Sequence, residues 1–214
     1  MKIIIFDTET TGLPIGQNPS IKNTELWPYI VQISWILYDI EDNKLLNIQD
    51  HIIKCSIPIP KESTLIHGIT DRRSKLKGIH IEKAMDLFDD DLKIADMVIA
   101  HNLSFDKRIY MVETIRHNRP QYFTRNGIKK PQFCTMLQTR LYCAIEKTSS
   151  LGNIYYKFPK LVELHTKLFG SIPNNMHDSL SDVIVCLRCF YAFKYNKDIL
   201  KINQQLNKIF KICC

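Results

Sequence analysis

A chain of 214 residues with 45% hydrophobic and 24% charged residues can bury a sizeable core and has an ordinary globular composition. No stretch approaches the roughly 18 apolar residues of a membrane span, and seven irregularly spaced cysteines are a poor disulfide framework, so a secreted or membrane protein is not expected. The 29 Lys and Arg against 22 Asp and Glu give +7, a balance that suits an anionic partner.

Lys2–Phe6, with three isoleucines, reads as a buried central strand ending at Asp7; it is too short for a signal peptide, and an intracellular protein, cytoplasmic or nuclear, is expected. Residues 10–14 form a turn with Gly12, and 15–28 a polar loop. Tyr29–Asp39 and Asn47–Lys54 are the second and third strands, joined by a hairpin over Asp39–Lys44. A short helix covers 61–67, and Ile81–Ile94 is amphipathic through Ala84, Leu87, Phe88 and Leu92. Asp96–His101 is a fourth strand, followed by a helix over Leu103–His117 with Phe105, Ile109, Val112 and Ile115 inward. A basic loop (116–130) leads to a brief fifth strand at Gln132–Thr135 and a helix over 136–146. Helices follow at Lys160–Phe169 and His177–Tyr195, and the amphipathic segment 198–212 places Ile199, Ile202, Leu206 and Ile209 on one face. With no repeat or linker, the whole chain reads as one α/β domain with a mixed sheet.

Three short motifs carry candidate chemistry. Asp7-Thr8-Glu9 sets two carboxylates on the same side of an extended chain, where a divalent cation relieves their repulsion. Asn102-x3-Asp106 follows the fourth strand, with Asn102 read chiefly as a helix cap. His177-x4-Asp182 opens a helix whose core stripe is Leu180, Val183, Ile184 and Leu187, and a histidine there can take a proton from water. Singly, each has a plain structural reading: a polar turn, an acid in a helix's first turn, a loop histidine. Arg72–Lys77 and Arg125, Lys129 and Lys130 read as solvated surface with phosphate contact as the alternative, and Cys186-x2-Cys189 as helix packing rather than zinc. His51, His80, His117 and His165 show no carboxylate partner.

Taken in order, IIIFDTETTGLP, HGIT, AHNLSFD and HDSLSD resemble the motifs of the DEDDh 3′→5′ exonucleases, which include DnaQ-like and Trex-like enzymes. The resemblance runs from Lys2 to about Phe190 and extends to WPYIVQISW, FCT at 133–135 and PKLVELHTKLFG at 159–170. A sister subgroup has tyrosine four residues before the last aspartate; here that position is Asp178, and His177 lies five before Asp182. Ser179 and Val183 stand where the family commonly has alanine. The resemblance implies an RNase H-like mixed five-stranded sheet flanked by helices. It implies Asp7, Glu9, Asp106 and Asp182 as ligands of two Mg²⁺ or Mn²⁺ ions, with Asp7 shared, and His177 as general base. Asp178 stays outside the metal shell. Thr8, Thr10 and Leu13, with Ile66, His67 and Gly68 opposite and Asn102 nearby, would meet the terminal nucleotide, Leu13 as a wedge or as turn packing. The expected substrate is the 3′ end of single-stranded or frayed DNA, as in proofreading or repair, with 5′-nucleoside monophosphates as products. RNA trimming and a catalytically silent binding module are the alternatives. Residues 198–212 are expected to cover the domain's own core, docking on a polymerase being the other reading.

Overall fold

The computed structural model describes residues 1–174 and 177–214; Asn175, part of the expected approach to His177, lies outside them. Its elements in chain order are β1 (Lys2–Thr10), β2 (Ile30–Asp39), β3 (Lys44–Ile52), α1 (Lys61–His67), α2 (Asp71–Lys77), α3 (Ile81–Ile94), β4 (Met97–Ala100) and α4 (Leu103–Arg116). There follow β5 (Thr124–Arg125), β6 (Ile128–Lys129), β7 (Gln132–Cys134), α5 (Thr135–Gln138), α6 (Arg140–Cys143), β8 (Glu146–Thr148) and β9 (Ile154–Tyr156). The chain closes with α7 (Leu161–Phe169), α8 (Ser179–Tyr195), α9 (Ile199–Ile202) and α10 (Gln204–Cys213).

The expected mixed sheet is present, in the order β3-β2-β1-β4-β7. β1 pairs antiparallel with β2 and parallel with β4, and β4 runs parallel to β7. The isoleucine run takes the centre because both faces are covered. Ile4 and Phe6 pack with Phe88, Ile109 and Val112 of α3 and α4; Ile3 and Ile5 pack with Val183, Ile184 and Leu187 of α8. β1 extends four residues past Phe6, so Asp7 and Glu9 lie within the strand rather than after it. Pairing with β2 holds this polar extension, with a register shift between Glu9 and Thr10.

Several boundaries differ from the expectation for local reasons. β3 starts three residues earlier, at Lys44, across a bulge opposite Leu37 and Tyr38. The helix expected over 136–146 breaks at Thr139, whose hydroxyl donates to the Thr135 carbonyl (2.7 Å). The segment 198–212 divides at Asn203, whose side chain accepts from the Leu206 N–H (3.0 Å) and so starts α10 as an N-cap. Leu206 and Ile199 are buried, so this segment covers its own domain's core. Ile115 is exposed rather than inward, and Asn102 takes a left-handed backbone (φ 68°) with no side-chain capping bond, so the expected cap is absent.

The basic residues of the 116–130 loop are mostly structural. Lys130 is buried and its ammonium donates to the carbonyls of Leu92 (2.6 Å), Lys93 (3.1 Å) and Ala95 (2.5 Å), closing the C-terminal end of α3. Arg125 meets Asp96 at 3.6 Å. His117, contrary to expectation, has carboxylates beside it: Glu82 at 3.2 Å and Glu113 at 3.6 Å. Arg116 pairs with buried Glu113 (2.7 Å) and donates to the carbonyls of Thr24 (2.7 Å), Trp27 (2.6 Å) and Pro28 (2.9 Å), pinning the loop before β2. Arg116→Ala would leave Glu113 buried without that partner. We expect a loss of about 3 kcal/mol in urea unfolding; a loss below about 0.5 kcal/mol, the scale of an exposed pair, would contradict the assignment.

Cys186 and Cys189 are buried inside α8, and no disulfide forms among the described residues. Among the described residues no helix is long and apolar enough to cross a membrane.

Candidate active site

Strand alternation decides which acids meet. Asp7 and Glu9 share the face of Ile3 and Ile5, which α8 covers, while Thr8 points with Ile4 and Phe6 to the α4 side. Asp182, in the first turn of α8, faces the first pair: a carboxylate oxygen from each of Asp7, Glu9 and Asp182 lies within 4.8 Å of the others. The Ser179 hydroxyl donates to the Asp7 carbonyl (2.9 Å) and fastens the start of α8 to β1. Asp106 arrives from the opposite face. Its Oδ1 accepts from both the N–H (3.1 Å) and the hydroxyl (2.8 Å) of Thr8. Thr8, expected to line a nucleotide pocket, is buried and spends its polar atoms on orienting Asp106.

Electrostatically the four acids form one unit. Burial is the largest influence on each and pushes its carboxyl upward: Asp7 to about 7, Glu9 to about 9, Asp182 to about 8, and Asp106 well above the carboxylate range. Mutual repulsion adds to this, with the Asp7 charge raising Glu9, Asp106 and Asp182. Asp7 Oδ2 and Asp182 Oδ1 are buried with no hydrogen-bond partner among the described residues. Buried carboxylate oxygens in that state are costly unless protonated or neutralised by a cation. The donors are all oxygen, which suits a hard ion such as Mg²⁺ or Mn²⁺. The residues present therefore fit a divalent metal.

Asp178 is the N-cap of α8; its Oδ1 accepts from the Ser181 N–H (3.3 Å). That role accounts for it outside the acid cluster. His177, just before it, is exposed and has a left-handed backbone (φ 70°). Of the eight described non-glycine residues with positive φ, six are asparagines, which tolerate that region; Ala144 and His177 are the exceptions. A hydrogen bond from the His177 backbone to the Asp182 carboxylate offsets the conformation and lowers Asp182 somewhat. His177 and Asp178 border an open groove of about 520 Å³ whose other wall is Ile66, His67 and Gly68 of the HGIT motif, with Arg73 from α2.

Around this groove the remaining candidates divide. Leu13 is 79% exposed and Ile66 60%, so turn packing does not account for Leu13. Gly12 (φ 148°) gives the turn its shape, a conformation open to glycine. Thr10 is buried and its hydroxyl donates to the Gly12 carbonyl (2.6 Å). His67 accepts from the Ile69 N–H at Nδ1 (3.1 Å), which leaves the proton on Nε2; that atom is buried with no partner among the described residues. Burial holds the His67 ring below its usual range and hence neutral. His101 had no expected role. Its ring nitrogens meet the Thr135 hydroxyl (2.9 Å) and the Pro159 carbonyl (3.0 Å), burial pushes it down to about 4, and it ties the end of β4 to the segment before α7.

No family model matches the sequence. The chain is 29% identical over 188 residues to an uncharacterized exonuclease of Escherichia phage 186, covering 84% of this chain and 81% of that protein. It superposes on exonuclease I from Methylocaldum szegediense with a TM-score of 0.67 at 18% identity, over 94% of this chain and 42% of that one. It superposes on a zinc-bound Escherichia coli exonuclease I–single-stranded DNA complex with a TM-score of 0.64 at 17% identity, over 91% and 41%. The chain thus spans less than half the length of these exonuclease I chains. The chain thus has the fold of exonuclease I and is similar to a phage exonuclease over most of both chains.

Proposed function

We propose that residues 1–214 form one exonuclease domain that removes nucleotides from the 3′ ends of single-stranded or frayed DNA and releases 5′-nucleoside monophosphates. The observation that carries the reading is the clustering of Asp7, Glu9 and Asp182 within 4.8 Å, with Asp7 Oδ2 and Asp182 Oδ1 buried and unpartnered. Single-stranded DNA is favoured because an exonuclease I of the same fold is seen bound to it. A silent binding module would have no use for four clustered, buried or half-buried acids that repel one another.

In this proposal Asp7, Glu9, Asp106 and Asp182 hold two Mg²⁺ or Mn²⁺ ions. Bound metal supplies charge neutralisation at the scissile phosphate and stabilises the attacking and leaving oxygens. Thr8 holds Asp106 in place, and Ser179 holds α8, and with it Asp182, against β1. Exposed His177 accepts the proton of the attacking water. Leu13 and Ile66 offer apolar surfaces to the terminal base, and His67 helps form the wall of the groove beside it. Asn102, at the end of β4, remains available for substrate because its side chain does not cap α4.

Product analysis on a short DNA strand tests the chemistry. The proposal requires 5′-nucleoside monophosphates, released only with divalent metal; 3′-monophosphates or internal cuts would reject it.

The raised carboxyls also fix a pH dependence. Without metal, the native site binds protons that the unfolded chain, with carboxyls near 4, does not. Metal-free stability is therefore highest below about pH 4 as far as these groups contribute, and is lost as pH rises through about 7 to 9. Bound metal offsets that loss, and its affinity climbs over the same window. We expect Mn²⁺ to raise the melting temperature more near pH 8 than near pH 6. A shift independent of pH would contradict it.

A further inference from the structure

We propose that the β8–β9 hairpin is a second contact surface for single-stranded nucleic acid, on which bases upstream of the 3′ end stack; the placement of that strand rests on the exonuclease reading above. Every residue of β8 and β9 is exposed, and neither strand pairs with the five-stranded sheet. A lone two-stranded hairpin gains little stability from its own pairing. Yet Tyr155 (40% exposed), Tyr156 (38%) and, just beyond, Phe158 (45%) keep large rings in water. These rings form no part of the described core clusters.

Charge names the partner. Around the hairpin stand Arg140, Lys147, Lys157 and Lys160; Lys157 pairs with Glu163 (2.7 Å), which leaves Arg140, Lys147 and Lys160 against Glu146. Lys147 lies directly across the hairpin from Tyr155, so an ammonium and a ring share one face, while Tyr156 turns to the other face opposite Glu146; the Tyr155–Lys147 face is the one that suits a phosphate-bearing strand. The Arg140 guanidinium sits 4.8 Å from the centre of the Phe158 ring and donates to the Tyr156 carbonyl (2.6 Å). Exposed rings interleaved with cations match a strand that offers π-faces and phosphates in alternation, and match an apolar protein surface poorly. Position agrees: the segment leaving the hairpin is tied at the Pro159 carbonyl to His101, at the carboxyl end of β4, the edge of the sheet that also carries the acid cluster.

The test uses the full chain in EDTA, where no hydrolysis occurs, with fluorescein-labelled thymidine strands of about four and about sixteen nucleotides read by anisotropy. Tyr155→Ala, and separately Lys147→Ala, change only exposed side chains on that face. The wild type should bind the longer strand at least about tenfold more tightly than the shorter one. The tyrosine variant should lose about tenfold on the longer strand and little on the shorter, and Lys147→Ala should lower the salt dependence by about one phosphate contact. Equal binding of both strands by the wild type, or variants that match the wild type on the longer strand, would overturn the proposal. So would a concentration-dependent self-association that the variants abolish while strand binding is unchanged, which would assign the surface to a second copy of the chain. Metal-dependent hydrolysis of a dinucleotide, measured in parallel, reports on the acid cluster alone: its absence from the wild type would reject the exonuclease reading, while the length-dependent binding would still decide the hairpin.

Discussion

Asp7→Asn and Asp182→Asn should each reduce turnover by about a thousandfold or more, and each should make the metal-free protein more stable. The loss follows from the chemistry proposed: each acid supplies a ligand oxygen to an ion that contributes several kcal/mol of charge stabilisation. The gain in stability follows from the structure. Asp7 raises the carboxyls of Glu9, Asp106 and Asp182 by repulsion, and its own is pushed to about 7 by burial. A neutral isostere removes that repulsion, and near pH 8 we expect at least about 1 kcal/mol of added stability in EDTA. Metal should then stabilise the variants much less than the wild type. Activity retained with the fold intact would remove these residues from the site, and a less stable metal-free variant would mean that the four acids do not strain the fold.

His177→Asn should slow turnover by about a hundred- to a thousandfold while leaving the metal-induced rise in melting temperature unchanged. Asparagine is the informative replacement because it tolerates the left-handed backbone that His177 adopts and cannot act as a base near neutral pH. The ring is exposed, so little packing is lost. His177→Ala should behave similarly in rate but cost some stability through its backbone. If either variant loses the metal-induced shift, His177 belongs among the ligands instead.

Much of this site is legible in the sequence because strand geometry is so restrictive. An isoleucine run that ends in Asp-Thr-Glu reads as a central strand whose alternation sets two acids on one face, and the helix expected from His177 onward carries Asp182; that Asp178 caps this helix emerges only from the fold. What escapes are features set by tertiary contacts. Thr8 sits between two site acids, yet alternation turns it to the other side of the sheet, where it serves Asp106. Lys130 and Arg116 look like solvated charge in a basic stretch; in the fold their cations close a helix end and hold a loop. α2 hides in a run of basic residues because Ser74 is its only buried residue, leaving no apolar stripe to find; the Thr70 cap, which accepts from the Arg73 N–H, was the available signal. The β8–β9 hairpin buries nothing, so it gives no hydrophobic pattern at all, and its strands emerge only from their mutual pairing.

The most direct measurement is the pattern of shortening of a DNA strand labelled at its 5′ end, with an RNA strand of the same sequence beside it, in Mg²⁺, Mn²⁺ or EDTA. We expect a ladder that shortens one nucleotide at a time from the 3′ end of the DNA, appears only with metal, vanishes in Asp7→Asn, and forms faster than on RNA. A faster RNA ladder would keep the site and change the substrate. No ladder on either strand, with wild type and Asp7→Asn indistinguishable, would mean that the acid cluster does not cut nucleic acid.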